Sequence, residues 1–190
     1  GEAGGEFAPT GESAAAKNFY NKSIAAKLSD SEREALAHYS YSGSEYINGN
    51  LRSGKIDSQT QRMLDAIDGA FAKAPKTGEV LVVYRTVRNS EMAAGVQKGY
   101  LSVSWNKTSA EKDITKVKDQ YSVLRITVPK GTPVISMKGL SEAPGGGKKT
   151  EGELLLPRGM NLEAGNAGNW RVYAWDESKH PRNPKGSGED

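Results

Sequence analysis

The apolar residues of this chain change their spacing near residue 79, and this change limits the folds that the chain can adopt. Before that point they fall on one face of a helix, as at Leu64, Ile67 and Phe71. After it, β-branched and aromatic residues form short runs, such as EVLVVYRTV at 79–87. Helices that come first and strands that follow predict an α+β fold, because βαβ units would alternate the two along the chain.

Capping residues and helix breakers divide the first half. Ser29, followed three residues later by Glu32, forms a capping-box pattern that opens a helix. Asp57 is the predicted cap of a longer helix that ends at Pro75. The predicted helices cover about 14–28, 29–43, 44–51 and 57–75, with a further short one over 107–118. The predicted strands cover 79–87, 100–104, 122–128, 133–137, 151–156 and 170–175.

We therefore expect N-terminal helices that pack on a mixed, mainly antiparallel β core of two sheets. The chain has 190 residues, which is enough for one domain with its own core. We place this domain at 14–177. The polar segments on either side, 1–13 and 178–190, are predicted to be a flexible arm and a flexible tail.

Composition argues against several classes of function. The chain has no cysteine and two histidines, His38 and His180, so we expect neither a metal site nor a Ser-His-Asp triad. A net charge of +3 is too small to indicate nucleic-acid binding. No run approaches the ~18 apolar residues that span a bilayer, and no secretory signal is visible.

Three polar motifs lie on or next to predicted strands: Arg85, Ser102-Val103-Ser104 and Glu151-Gly152-Glu153. Each alone has an ordinary explanation. An arginine at a strand end usually reaches solvent, and residues at i and i+2 share a strand face that is often half exposed. Two carboxylates on one face repel each other, which is tolerated where water solvates them. It is the combination and the order that favour a functional site.

This order, Arg, then Ser-x-Ser, then Glu-x-Glu, resembles the arginine-specific branch of the mono-ADP-ribosyltransferases. That family includes clostridial binary-toxin enzymes and effectors encoded by phages and bacteria. The resemblance spans about 15–175, and the segments YSG at 41–43, INGNLR at 47–52 and LLLPRG at 154–159 extend it. It implies the ADP-ribosyltransferase fold.

The resemblance also implies roles for individual residues. Glu153 stabilises the oxocarbenium-like ribose cation that forms as nicotinamide leaves NAD⁺. Ser102 orients Glu153, and Arg85 binds a phosphate or its adjacent ribose. The residues expected to contact the NAD⁺ co-substrate are Arg85, Thr86, Asn48, Arg52, Tyr41, Ser102 and Ser104.

Glu151 matches the position that selects the acceptor, where relatives that modify asparagine carry glutamine. A carboxylate can hold an arginine guanidinium through two hydrogen bonds and help to remove a proton from it. The expected reaction is therefore transfer of ADP-ribose to an arginine side chain of a target protein. The preceding loop, SEAPGGGKKT at 141–150, lacks the spacing of a nucleotide-binding phosphate loop. We expect it to help recognise the protein substrate.

Two other functions stay open. The same pocket would let water attack, which would make the protein an NAD⁺ glycohydrolase, or the chain could be a catalytically silent phage or structural interaction domain. The resemblance favours a monomeric toxin or effector that is delivered into a target cell and acts in its cytoplasm. Its partners would be the target protein and a cognate inhibitor or immunity protein, with no role for membranes or nucleic acid.

Overall fold

The computed structural model describes residues 11–91, 94–112, 120–140, 152–166 and 169–173. The α-helices in these ranges are α1 (Gly11–Tyr20), α2 (Asp30–His38), α3 (Ser44–Ser53), α4 (Ser58–Lys73) and α5 (Lys107–Lys112). The strands are β1 (Leu81–Arg88), β2 (Gly95–Val96), β3 (Leu101–Ser104), β4 (Tyr121–Val128), β5 (Ile135–Ser136), β6 (Glu153–Leu156), β7 (Asn161–Ala164) and β8 (Asn169–Tyr173). The α+β class is confirmed.

These strands form one hydrogen-bonded sheet in the order β2-β7-β8-β4-β1-β3-β6-β5. The β4–β8 pair is parallel and the other pairs are antiparallel, so the mixed, mainly antiparallel character is confirmed. We expected two sheets and find one, because β1 pairs with β3, with Tyr84 opposite Ser104, and this pairing joins β2-β7-β8-β4-β1 to β3-β6-β5. Strand β1 also pairs with β4 along its whole length, from Leu81 opposite Val128 to Arg88 opposite Tyr121.

The two faces of the sheet support different cores. Side chains alternate along β6, so Leu154 and Leu156 enter one core whereas Leu155 enters the other. The first core also contains Ala15 and Ala16 of α1. The second core lies against the helical half and includes side chains from α2, α3 and α4. Alternation places Glu153 on the face of Leu155, which is the face toward these helices.

The two predicted helix caps are confirmed. The capping box is present, since Ser29 Oγ accepts from Glu32 N at 3.2 Å and Glu32 Oε1 accepts from Ser29 N at 2.9 Å. Asp57 Oδ1 accepts from Thr60 N at 2.7 Å at the start of α4. Local hydrogen bonds of this kind follow from residue type and spacing alone.

Other boundaries differ from the predictions. Helix α1 begins at Gly11, before the predicted domain start, and ends at Tyr20; a 3₁₀ turn, Ala25–Lys27, follows it. Helix α2 does not continue to Gly43, because a π-helical turn, Tyr39–Gly43, joins it to α3. Strands β2 and β7 were not predicted, since a two-residue strand and the polar sequence NLEA carry little β signal. The proposed arm up to residue 10 and the tail from 178 lie outside the described residues.

Among the helices of the described ranges, none is long and apolar enough to cross a membrane. The same ranges contain no group of three His, Asp or Glu side chains that could hold a metal ion.

The ion pair between Lys73 and Glu32 joins α4 to α2 and makes stability depend on pH. Lys73 Nζ donates to Glu32 Oε1 at 2.8 Å. Hydrogen bonds from Lys73 and from the Ser29 amide hold the pKa of Glu32 below its ordinary value of 4.5. A lowered folded-state pKa means that Glu32 stabilises the fold above its unfolded-state pKa, and that this stability is lost as pH falls through the folded-state pKa.

We predict that Lys73→Met lowers the free energy of unfolding by about 0.5 to 1 kcal/mol at pH 7, a modest value because Lys73 is 45% exposed. The difference from the unaltered chain should shrink once the medium is acidic enough to protonate Glu32. Urea unfolding at neutral and acidic pH measures this, with the exposed Lys55→Met as control. An equal loss at both pH values would contradict the assignment.

Candidate active site

A buried carboxylate lies at the centre of the candidate site. Glu153 is the first residue of β6 and its exposed fraction is 2%. Its Oε1 accepts a hydrogen bond from Ser40 Oγ at 2.7 Å, and its Oε2 accepts one from Ser102 Oγ at 2.6 Å. Both oxygens are thus met by hydroxyl donors, the arrangement that a buried carboxylate needs if it is to stay charged.

The register of β3 and β6 accounts for the contact between Ser102 and Glu153. Ser104 lies opposite Glu153, and Ser102 lies opposite Leu155. Side chains at alternate positions of a strand share a face, so Ser102, Ser104 and Glu153 project from the same side of the sheet. The pairing of the two strands therefore brings the Ser102 hydroxyl next to the Glu153 carboxylate.

Arg85 lies on β1, the strand on the other side of β3. Its Nη1 donates to the backbone carbonyl of Ser102 at 2.7 Å. Ser102 therefore contacts Arg85 through its main chain and Glu153 through its side chain. The structure brings these three predicted residues together across three adjacent strands.

A cavity of about 800 Å³ opens beside this cluster. Four of its lining residues are cations, Arg52, Arg85, Arg88 and Lys98, and one, Glu45, is an anion. The lining does not include Ser102 or Glu153, so Arg85 is the residue that joins the cavity to the carboxylate. A concave surface with this excess of positive charge suits a ligand that carries phosphate groups.

A buried tyrosine lies next to the same residues. Tyr39 is 1% exposed, and burial raises its pKa to about 12, although the positive charge of Arg85 opposes the shift and the negative charge of Glu153 adds to it. The Tyr39 hydroxyl accepts from Asn48 Nδ2 at 2.9 Å. Its ring meets that of Tyr100 edge to face, with centroids 5.6 Å apart. The phenol is thus neutral at physiological pH.

Asn48 joins α3 to the start of β3. Its Oδ1 accepts from the backbone amide of Tyr100 at 3.1 Å while its Nδ2 donates to Tyr39. Gly99 makes this approach possible, because a Cβ there would lie 2.4 Å from Asn48 Oδ1. The amide of Asn48 is therefore engaged within the protein, which gives it a structural role that the sequence did not predict.

The remaining predicted site residues are less closely grouped. Arg52 is exposed on α3 and, like Thr86 on β1, lines the cavity. Ser104 is buried, and its hydroxyl contacts the backbone of the residue two positions on. The backbone of Tyr41 lies in the π-helical turn. Glu151 and the 141–150 loop lie outside the described residues.

Sequence reasoning missed Ser40 and Tyr39. The segment that resembles the family was taken to begin at Tyr41, and a regular helix was expected up to Gly43. One sequence pattern could have indicated them: tyrosine and serine alternate in YSYSG at 39–43, and this alternation does not fit a single face of a regular helix. A π-helical turn there changes which residues point inward, and sequence spacing alone does not reveal it.

Comparison with known proteins shows the family to which the chain belongs. The family model described as ADP-ribosyltransferase exoenzyme matches residues 16–121, more than half of the chain. The chain belongs to the ADP-ribosyltransferase exoenzyme family. Arg85 and Ser102 lie inside the matched range, and Glu153 lies beyond it. No curated protein sequence matches the chain.

Solved structures of ADP-ribosyltransferases share the fold. Plx2a, a toxin from Paenibacillus larvae, has a TM-score of 0.62 at 22% identity, over 85% of this chain and 96% of its own. C3stau2 from S. aureus, solved with NAD, gives 0.61 at 20%, over 85% and 96%. The ADP-ribosyltransferase Vis, solved with agmatine, gives 0.55 at 19%, over 90% and 87%. At these identities the likeness establishes the fold.

Gly152 precedes the carboxylate and has a conformation that other residues rarely adopt. Its φ is +76°, and a Cβ there would lie 2.7 Å from Trp105 Nε1. Gly54 at the end of α3 has a similar φ of +78°, but a Cβ there would meet nothing within 4 Å. The two positions therefore share the backbone strain and differ in the steric clash.

We predict that Gly54→Ala lowers the free energy of unfolding by about 1 kcal/mol, the cost of the left-handed conformation. Gly152→Ala should cost about 2 to 3 kcal/mol, because Trp105 must also move. Urea denaturation of both variants gives the comparison. Losses of the same size at the two positions would mean that Trp105 does not restrict residue 152.

Proposed function

We propose that this protein cleaves NAD⁺, releases nicotinamide and transfers ADP-ribose to an arginine side chain of a target protein. The observation that carries the proposal is the buried Glu153 carboxylate, which accepts a hydrogen bond from Ser102. The backbone of Ser102 in turn contacts Arg85, which lines a cationic cavity. Membership of the ADP-ribosyltransferase exoenzyme family supports the same reaction class.

The charge of the cavity supports NAD⁺ as the co-substrate. The diphosphate of NAD⁺ carries two negative charges, and the guanidinium groups of Arg52 and Arg85 offer forked donors that match phosphate oxygens. Arg88 and Lys98 add further positive charge at the same surface. A related structure, C3stau2, is solved with NAD.

The carboxylate supports cleavage of the bond between ribose and nicotinamide. When that bond breaks, its electron pair leaves with nicotinamide and positive charge develops on the ribose. A fixed anion with low exposure to water stabilises this charge more strongly than a solvated one would. Ser102 favours the charged form of Glu153 and limits its rotation, because a hydrogen bond to a carboxylate stabilises the ionised state.

Two features support arginine as the acceptor. Glu151 lies two residues before Glu153, and a carboxylate there can hold a guanidinium and take its proton as a guanidinium nitrogen forms the new bond to ribose. Agmatine, the ligand in one Vis structure, carries a guanidinium group. We therefore assign acceptor choice to Glu151 and stabilisation of the ribose cation to Glu153.

By likeness to Plx2a, which is described as a toxin, we further propose an effector that is delivered into a target cell. It would act there as a monomer in the cytoplasm on a protein that bears the modified arginine. A cognate inhibitor or immunity protein is the second partner that we propose.

We predict that Glu153→Gln lowers nicotinamide release from NAD⁺ by about 100-fold or more, because the amide cannot stabilise the ribose cation. Glu151→Gln should lower transfer to agmatine and to proteins much more than it lowers hydrolysis of NAD⁺. Nicotinamide, free ADP-ribose and labelled acceptor are measured in the same reaction, with Glu34→Gln on the exposed face of α2 as control.

These outcomes distinguish the functions that the sequence left open. Hydrolysis without acceptor labelling in the unaltered protein would indicate an NAD⁺ glycohydrolase. Absence of both activities would indicate a silent domain. Label transfer that survives Glu153→Gln would remove Glu153 from the mechanism, and equal loss of both activities in Glu151→Gln would contradict the division of roles.

A further inference from the structure

Ser40 has no role in the proposed reaction, yet it contacts the central Glu153 carboxylate. We infer that Ser40 is a positioning residue, which fixes the plane of the Glu153 carboxylate for attack at the ribose. This inference rests on the proposed function. Ser40 is 3% exposed, and its hydroxyl donates to Glu153 Oε1 at 2.7 Å.

One hydroxyl alone would leave the carboxylate poorly oriented. The last torsion of a glutamate side chain joins an sp³ carbon to an sp² carbon, and its energy profile is broad. Ser102 holds Oε2 from strand β3, and Ser40 holds Oε1 from the helical half. Two donors from different directions restrict that torsion, so the carboxylate presents a constant face to the ligand.

The π-helical turn brings Ser40 to this position. Tyr39 and Ser40 are consecutive and both are buried, Tyr39 beside Tyr100 and Ser40 against Glu153. A π-helical turn widens the helix by one residue and shifts the phase of the residues around it, and such turns recur at functional sites. The turn thus supplies a donor to the carboxylate from a segment 113 positions away in sequence.

Gly43 at the end of the turn packs closely against His38. It is buried, and a Cβ there would lie 2.7 Å from Cδ2 of the His38 ring and 3.1 Å from the His38 carbonyl oxygen. Its φ of −90° is open to any residue, so a substitution here acts through steric contact and not through backbone strain. A side chain at residue 43 would displace either the His38 ring or the turn that carries Ser40.

The decisive experiment compares Ser40→Ala with Ser40→Thr, which keeps the hydroxyl. Nicotinamide release from NAD⁺ gives kcat and KM, with water and with agmatine as acceptors, and thermal unfolding reports on the fold. We expect Ser40→Ala to lower kcat by about tenfold to a hundredfold, the effect of losing one hydrogen bond to a charged group. KM for NAD⁺ should change little, and Ser40→Thr should recover most of kcat. Ser44→Ala, at the start of α3, is the matched control.

A merely structural role of Ser40 would give a different result. Ser40→Ala would then lower the unfolding temperature while the folded fraction kept its kcat, or Ser40→Thr would be as impaired as Ser40→Ala. Either result would overturn the inference. An unaltered protein with no activity on NAD⁺ would instead contradict the proposed function, so the two failures can be told apart.

Gly43→Ala tests the contribution of the turn while both serines remain. We expect Gly43→Ala to lower kcat, as Ser40→Ala does. A second substitution, His38→Ala, should recover part of that loss, because it removes the ring that the new methyl group would contact. A Gly43→Ala variant with the kcat of the unaltered protein would show that movement of the His38 ring alone accommodates the added methyl group, and would overturn the role given to Gly43.

Discussion

The burial of one charged group is the constraint on which the site depends. A carboxylate taken out of water is strongly destabilising unless donors meet it. Glu153 is almost fully buried, and its two hydroxyl partners come from Ser102 on β3 and from Ser40 in the π-helical turn. The sheet and the helical half must therefore pack together before this carboxylate can be buried in its charged form, which links formation of the site to formation of the tertiary fold.

Tyr100, just before β3, joins the sheet to the helical half through three contacts. Its backbone contacts Asn48 of α3, its ring stacks on Phe71 of α4, and its hydroxyl donates to Asp68 of α4 at 2.6 Å. Ser102 follows two positions later. The position of the serine that holds the carboxylate is therefore set by contacts with two helices as well as by the strand register.

Ser102 also couples the two functions that we assign to the site. Arg85 lines the cationic cavity and donates to the Ser102 carbonyl, while the Ser102 hydroxyl donates to Glu153. Binding of a phosphate-bearing ligand and orientation of the carboxylate thus involve the same short strand. The cations that line the cavity and the buried Glu153 anion lie on opposite sides of β3. This arrangement suits a site in which one surface binds the diphosphate and another stabilises the ribose cation.

The sequence by itself determined the features that depend on near neighbours. The caps at Ser29 and Asp57, the α+β order and the shared face of Ser102 and Ser104 follow from hydrogen bonds and steric limits within a few residues. The family resemblance supplied the grouping of Arg85 with Ser102 and Glu153. Only the tertiary structure decided that the strands form a single sheet and that Ser40 meets Glu153. Those features depend on contacts between distant segments, whose geometry is set when the helices pack on the sheet and not by local spacing.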